Sequence, residues 1–204
     1  MATATINNTI YIGGIELVGK IERSATLQFG SDGIALPAGL AGTLTTRTSA
    51  TAGVATLGEG HGVEPDDVVA IFWEGGRRYG VVVDSVDGQA VTFGNATPGT
   101  GDDLPSQGTA LVVTPPVAID VDFAGDLLRM IAARADQRAL LDFQAAGGAT
   151  IAAVDLAAGE PWSWASGTGT DNPFAGEVVA ALKAAGGTAA AATLKFGGLV
   201  EAVT

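Results

Sequence analysis

The chain contains no cysteine in its 204 residues. That excludes a disulfide framework, a thiolate zinc site and a cysteine nucleophile. It has one histidine, His61, set between Gly60 and Gly62. A serine triad would have to draw its base from that glycine-flanked loop, a poor platform for a preorganised group, and no G-x-S-x-G elbow occurs. Charge is sparse, at 16% of residues against a usual quarter, and it is one-sided. Ten Lys and Arg face 22 Asp and Glu, a net charge of −12. Such a field repels nucleic acid and anionic lipid at long range, so neither is expected as a partner. No window approaches 18 uninterrupted apolar residues, which excludes a membrane-spanning helix of the ordinary kind. The opening MATATINNTIYIGG has no basic n-region and no continuous apolar h-region, so no signal peptide is expected.

What is present is a core-forming composition, 47% hydrophobic, with 30 glycines and abundant alanine and threonine. It suits many short strands joined by tight turns rather than disorder. Residues 5–29 break into two or three strand-like pieces at Asn7-Asn8 and Gly13-Gly14. Residues 30–42, with Pro37 and four glycines, read as a loop.

The clearest strands flank AIFWEGGRRYGVVV. Val68 to Trp73 runs into the glycines, Tyr79 to Val83 leaves them, and Asp87-Gly88 turns the chain into Gln89 to Phe93. Residues 94–108 read as a loop and 109–113 as a closing strand. Five or six short strands in so short a span predict a small barrel, and their order resembles an SH3-like barrel. Thr114-Pro115-Pro116 ends that unit, since proline cannot donate into a ladder.

Residues 126–143 fit two templates. Leu127, Leu128, Ile131 and Ala135 have helical spacing, whereas Leu128, Met130 and Ala132, then Ala139, Leu141 and Phe143, alternate as two strands about a turn at Asp136. Turn signals recurring every ten to twelve residues through the C-terminal part favour the strands. The predicted fold class is all-β: a jelly-roll-like β-sandwich with a small SH3-like barrel subdomain and at most one helix. Residues 1–41 are assigned to the sandwich, 42–114 to the barrel, which an insertion would explain, and 115–204 to the sandwich again.

Candidate chemistry is thin. Glu74-Gly75-Gly76-Arg77-Arg78 offers an anion-loop reading, but phosphate loops precede a helix and carry a lysine, and here a strand follows. A hairpin turn with the arginines at its rim is the better account. The acidic groups Glu64/Asp66/Asp67, Asp102/Asp103 and Asp120/Asp122/Asp126 match no calcium-loop pattern, so no metal and no cofactor are expected. Paired carboxylates for a glycosidase stay a distant option, because sequence cannot set two of them across a cleft. Trp162 and Trp164 share a face if EPWSWAS is a strand. They would plug a core or subunit interface, or else stack on sugar rings.

This acidic, cysteine-free, Gly/Ala/Thr-rich β texture resembles the virion structural proteins of tailed bacteriophages, of the tail-tube, tail-tip or capsid-decoration type. The resemblance implies a non-enzymatic protein that assembles with copies of itself and with other virion proteins. It also implies a place in the virion after assembly in the host cytoplasm. The alternative is a carbohydrate-binding or adhesin-like module using Trp162 and Trp164, with a glycan as partner. On the assembly reading, Trp73, Arg77, Arg78, Trp162 and Trp164 are the candidate subunit-interface residues. Reversing both arginines to glutamate is then expected to leave the fold intact while weakening oligomers in sedimentation.

Overall fold

A computed structural model of the chain describes residues 10–12, 15–17, 26–121, 123, 127–166, 173–174 and 178–201. Among them there are sixteen strands and no helix. In chain order these are β1 Ile10–Ile12, β2 Ile15–Leu17, β3 Thr26–Leu36, β4 Leu40–Arg47, β5 Gly53–Leu57, β6 Val68–Trp73, β7 Gly76–Asp87 and β8 Ala90–Gly101. They continue with β9 Ala110–Thr114, β10 Val117–Ile119, β11 Leu127–Ala135, β12 Ala139–Gln144, β13 Thr150–Leu156, β14 Pro161–Ala165, β15 Ala181–Gly186 and β16 Ala192–Glu201.

β1 and β2 form a small hairpin. The turn expected there, Gly13-Gly14, lies outside the described residues, as does the one expected at Asn7-Asn8. β4 to β9 close into a barrel in the order β4-β5-β8-β7-β6-β9. The remaining strands make two four-stranded sheets, β10-β15-β12-β13 and β14-β11-β16-β3, with every neighbouring pair antiparallel. The barrel is therefore threaded between β3 and β10, both strands of the sandwich.

Alternation explains the sandwich. Ile131, Ala133 and Ala135 of β11 and Leu194, Phe196 and Val200 of β16 face Leu141 and Phe143 of β12 and Leu182 and Ala184 of β15 across one core. The helix reading of 126–143 gives way to two strands, and Asp136 lies at the turn between them. A helix would have buried Leu127, Leu128 and Ile131 on a single stripe. The sheet pattern instead places Leu128 and Ile131 in a two-layer core that short strands can fill.

Two segments expected to be loops are strands. GSDGIAL continues β3, because the ladder with β16 shifts register between Leu194 and Lys195 and Gly33 takes up the extra residue at φ +123°. GNATPGTG continues β8 to Gly101 along β7.

The barrel interior is filled by Leu44, Val69, Ile71, Trp73, Val81, Val83, Val91, Phe93, Leu111 and Val113. β6 is apolar on both faces because it is buried on both. Ala70 and Phe72 point out of the barrel onto Leu140 of β12 and Ala185 of β15.

The sandwich core is sensitive at Phe143, which is fully enclosed and meets Phe174 edge-to-face at 5.0 Å between ring centroids. Phe143→Ala is expected to cost about 3–5 kcal/mol through lost contact and the cavity left behind, measured as a shift in urea unfolding.

Candidate functional site

The glycine-arginine stretch is a two-residue hairpin. Trp73 pairs with Gly76, and Gly75 turns the chain at φ +84°. Gly76 is needed for a second reason: a Cβ there would sit 2.5 Å from the Trp73 indole, which lies against the bare backbone. The pair of glycines thus seats Trp73 in the barrel core.

The two arginines diverge, and neither sits free at a rim. Arg78 is only 4% exposed. Its guanidinium donates to the carbonyls of Asp102 (3.0 Å), Pro98 (2.9 Å), Gly99 (3.1 Å) and Gly101 (3.1 Å), stitching β7 to the end of β8 and the turn after it. This corrects the expectation that both charges can be reversed without harm to the fold. A glutamate at 78 would set a carboxylate among four carbonyl oxygens.

Arg77 reaches across to the sandwich. Its Nη1 donates to Asp155 Oδ2 at 3.0 Å. Arg138, on the β11–β12 turn, binds the same carboxylate through Nη2 (2.8 Å) and Nε (3.3 Å). It also donates from Nη1 to the Trp73 carbonyl at 3.0 Å and lies over the Phe72 ring, 5.3 Å from its centroid. One carboxylate thus serves two guanidiniums, each group about a quarter exposed. Below them the Thr114 hydroxyl donates to the buried Gly186 carbonyl at 2.7 Å. Trp73 and Arg77 therefore line an interface within the chain, between barrel and sandwich.

Beside this seam lies a cleft of about 250 Å³ lined by Tyr79 and Thr97 from the barrel and by Asp142, Gln144, Thr150 and Lys183 from the sandwich, among others. Gln144 Nε2 donates to Asp142 Oδ2, while the buried Asp142 Oδ1 has no partner among the described residues. Burial first, and the Asp142 carboxylate second, push the Tyr79 phenol above its ordinary pKa, with Arg77 opposing them. The cleft joins hydrogen-bonding groups of both signs and could hold a small polar group. Among the described residues that line it, no nucleophile is paired with a base.

The tryptophans part company too. Trp164 is 7% exposed and meets Phe174 edge-to-face at 5.0 Å, so its ring has no open face for a sugar. Trp162 is half-buried against the same core. His61 bridges two loops: its Nδ1 accepts from Val63 N–H (3.0 Å), and its Nε2 lies 3.1 Å from the Gly88 carbonyl.

Two of the acidic residues are put to local use. Asp67 accepts from Glu64 N–H (2.8 Å) and Asp102 from Arg77 N–H (3.0 Å). Asp122 and Asp126 lie outside the described residues. Among the described residues no three His, Asp or Glu groups come together as a metal site.

Sequence reasoning missed Arg138, Asp155, Asp142 and Phe174. Local pattern marks none of them: Arg138 and Asp155 meet barrel residues far along the chain, Phe174 meets Phe143 and Trp164, and Asp142 is notable only for the cleft that it shares with Tyr79. No protein-family model matches the chain, and comparison with curated proteins and with solved structures returns no similar protein.

Asp155→Ala removes the shared acceptor and leaves Arg77 and Arg138 facing each other. It is expected to cost about 1–3 kcal/mol, a drop of several degrees in the thermal midpoint by calorimetry.

Proposed function

We propose that this chain is a non-enzymatic structural protein that assembles with copies of itself into a virion component such as a tube, a ring or a shell decoration. One observation carries the assembly part. The outer strands of both sandwich sheets, β3, β10, β13 and β14, hold hydrophobic residues that the chain only half covers: Ile34, Val117, Ile151 and Trp162. Strand edges with half-covered apolar side chains are what a neighbouring chain completes. β13 is the plainest case, because Thr150-Ile151-Ala152-Ala153-Val154-Asp155-Leu156 contains no proline, lysine or glycine to discourage pairing. The virion assignment rests on composition and strand texture.

The burial of Trp164 weighs against the carbohydrate-binding alternative, which needs both indoles as a stacking surface. Sedimentation velocity and negative-stain microscopy of the purified chain test the proposal. Discrete oligomers, rings or tubes are expected, and a strict monomer at high concentration contradicts it.

A further inference from the structure

The two sandwich sheets are not in step. β13 lies against β11, and β15 lies against β3. Among the described residues each sheet has four strands. It follows that β14 projects past β13 at one end of the sandwich, and β10 projects past β3 at the other. Each overhang is one strand wide, and they belong to opposite sheets. The molecule has the profile of a lapped board.

From this offset, and resting on the self-assembly reading above, the geometry points to a specific joint between copies. β10 of the next copy enters the step beside β13 and over the Trp162 end of β14, since Phe174 of the same chain already covers Trp164, while that copy's β3 abuts β14. Both sheets then run on through the junction, as β12-β13 to β10-β15 in one and β11-β14 to β3-β16 in the other.

Strand direction agrees at both seams. All neighbours within each sheet are antiparallel, so with four strands per sheet the first and last point opposite ways. A copy placed by translation along the row therefore pairs antiparallel at β13/β10 and at β14/β3 alike.

The side chains agree as well. Ile151 and Trp162 wait half-buried at one end, and Ile34 and Val117 at the other. The joint brings the two sets together.

A two-fold pairing of β13 with β13 fails on the same geometry. Each copy's projecting β14 would occupy the place of the other copy's β11. The contact is therefore head-to-tail, which yields a closed ring or an open filament rather than a dimer.

The register is also readable. Ala118 pairs with Lys183, Lys183 with Asp142, and Asp142 with Ala153, one row straight across the sheet. Continued without stagger, that row sets Ala118 of the next copy beside Ala153. Opposed antiparallel residues lie about 4.5–5.5 Å apart at Cα, within disulfide reach.

Because the chain has no cysteine, engineered thiols report this contact without background. Single variants Ala118→Cys and Ala153→Cys, their equimolar mixture, the double variant and a staggered double variant, Asp120→Cys with Ala153→Cys, are oxidised and run on non-reducing gels. Sedimentation of the unaltered full chain runs alongside. A cross-linked dimer in the mixture, with a ladder of multimers from a double variant, is the expected result. Dimers from Ala153→Cys alone would show a two-fold contact and overturn the joint. Oligomers in sedimentation with no ladder from either double variant would overturn the joint while leaving self-assembly standing. A monomer in sedimentation would overturn both.

Discussion

The fold turns on the two-faced strand β6. Its inner residues Val69, Ile71 and Trp73 fill the barrel, and its outer residues Ala70 and Phe72 are buried on the sandwich. A barrel strand that faced water would alternate apolar with polar residues. This one cannot be exposed without baring Phe72. The barrel is therefore fixed to the sandwich by the hydrophobic effect, and polar groups set the orientation. Asp155, held by Arg77 from the barrel and by Arg138 from the sandwich turn, marks the register of that seam. With both guanidiniums tied to one carboxylate and Arg138 also bound to the Trp73 carbonyl, sliding the barrel along the sheet would leave part-buried polar groups unpaired.

What could be read from the chain beforehand follows the range of the interactions involved. The hairpin at Gly75, the apolar run from Val69 to Trp73 and the resolution of 126–143 into strands rest on local pattern, which sequence displays directly. The long β3 and β8 were hidden because their glycines and Asp32 or Asn95 look like turn chemistry. In the fold those features serve bulges and capped edges. Gly33 absorbs a register shift, and Asp84 holds the amides of Asn95 and Ala96. Burial acts to raise the pKa of Asp84, but those amides and the Asn95 side chain outweigh it and hold the carboxyl below its ordinary value. Arg78 misled for the same reason. Its four carbonyl partners lie at least twenty residues away, so a buried clamp looks in sequence like a charged rim.

That reassignment bears on how so acidic a chain would meet its own copies under the proposal above. Arg77, Arg78 and Arg138 are spent inside the molecule, so a contact between copies built on them has little to draw on. On the proposed self-assembly, association would come from backbone pairing and half-covered apolar residues, terms that salt weakens little. The stepped ends of the sandwich supply both, and they are complementary rather than identical, the condition for growth in one direction.

Hydrogen exchange by mass spectrometry, at concentrations below and above the onset of assembly, tests this central claim most directly. The account predicts slowed exchange in peptides from β13, β10, β14 and β3 on assembly, with the barrel strands unchanged. Slowed exchange confined to the barrel, or no change in those four strands while oligomers form, would contradict it.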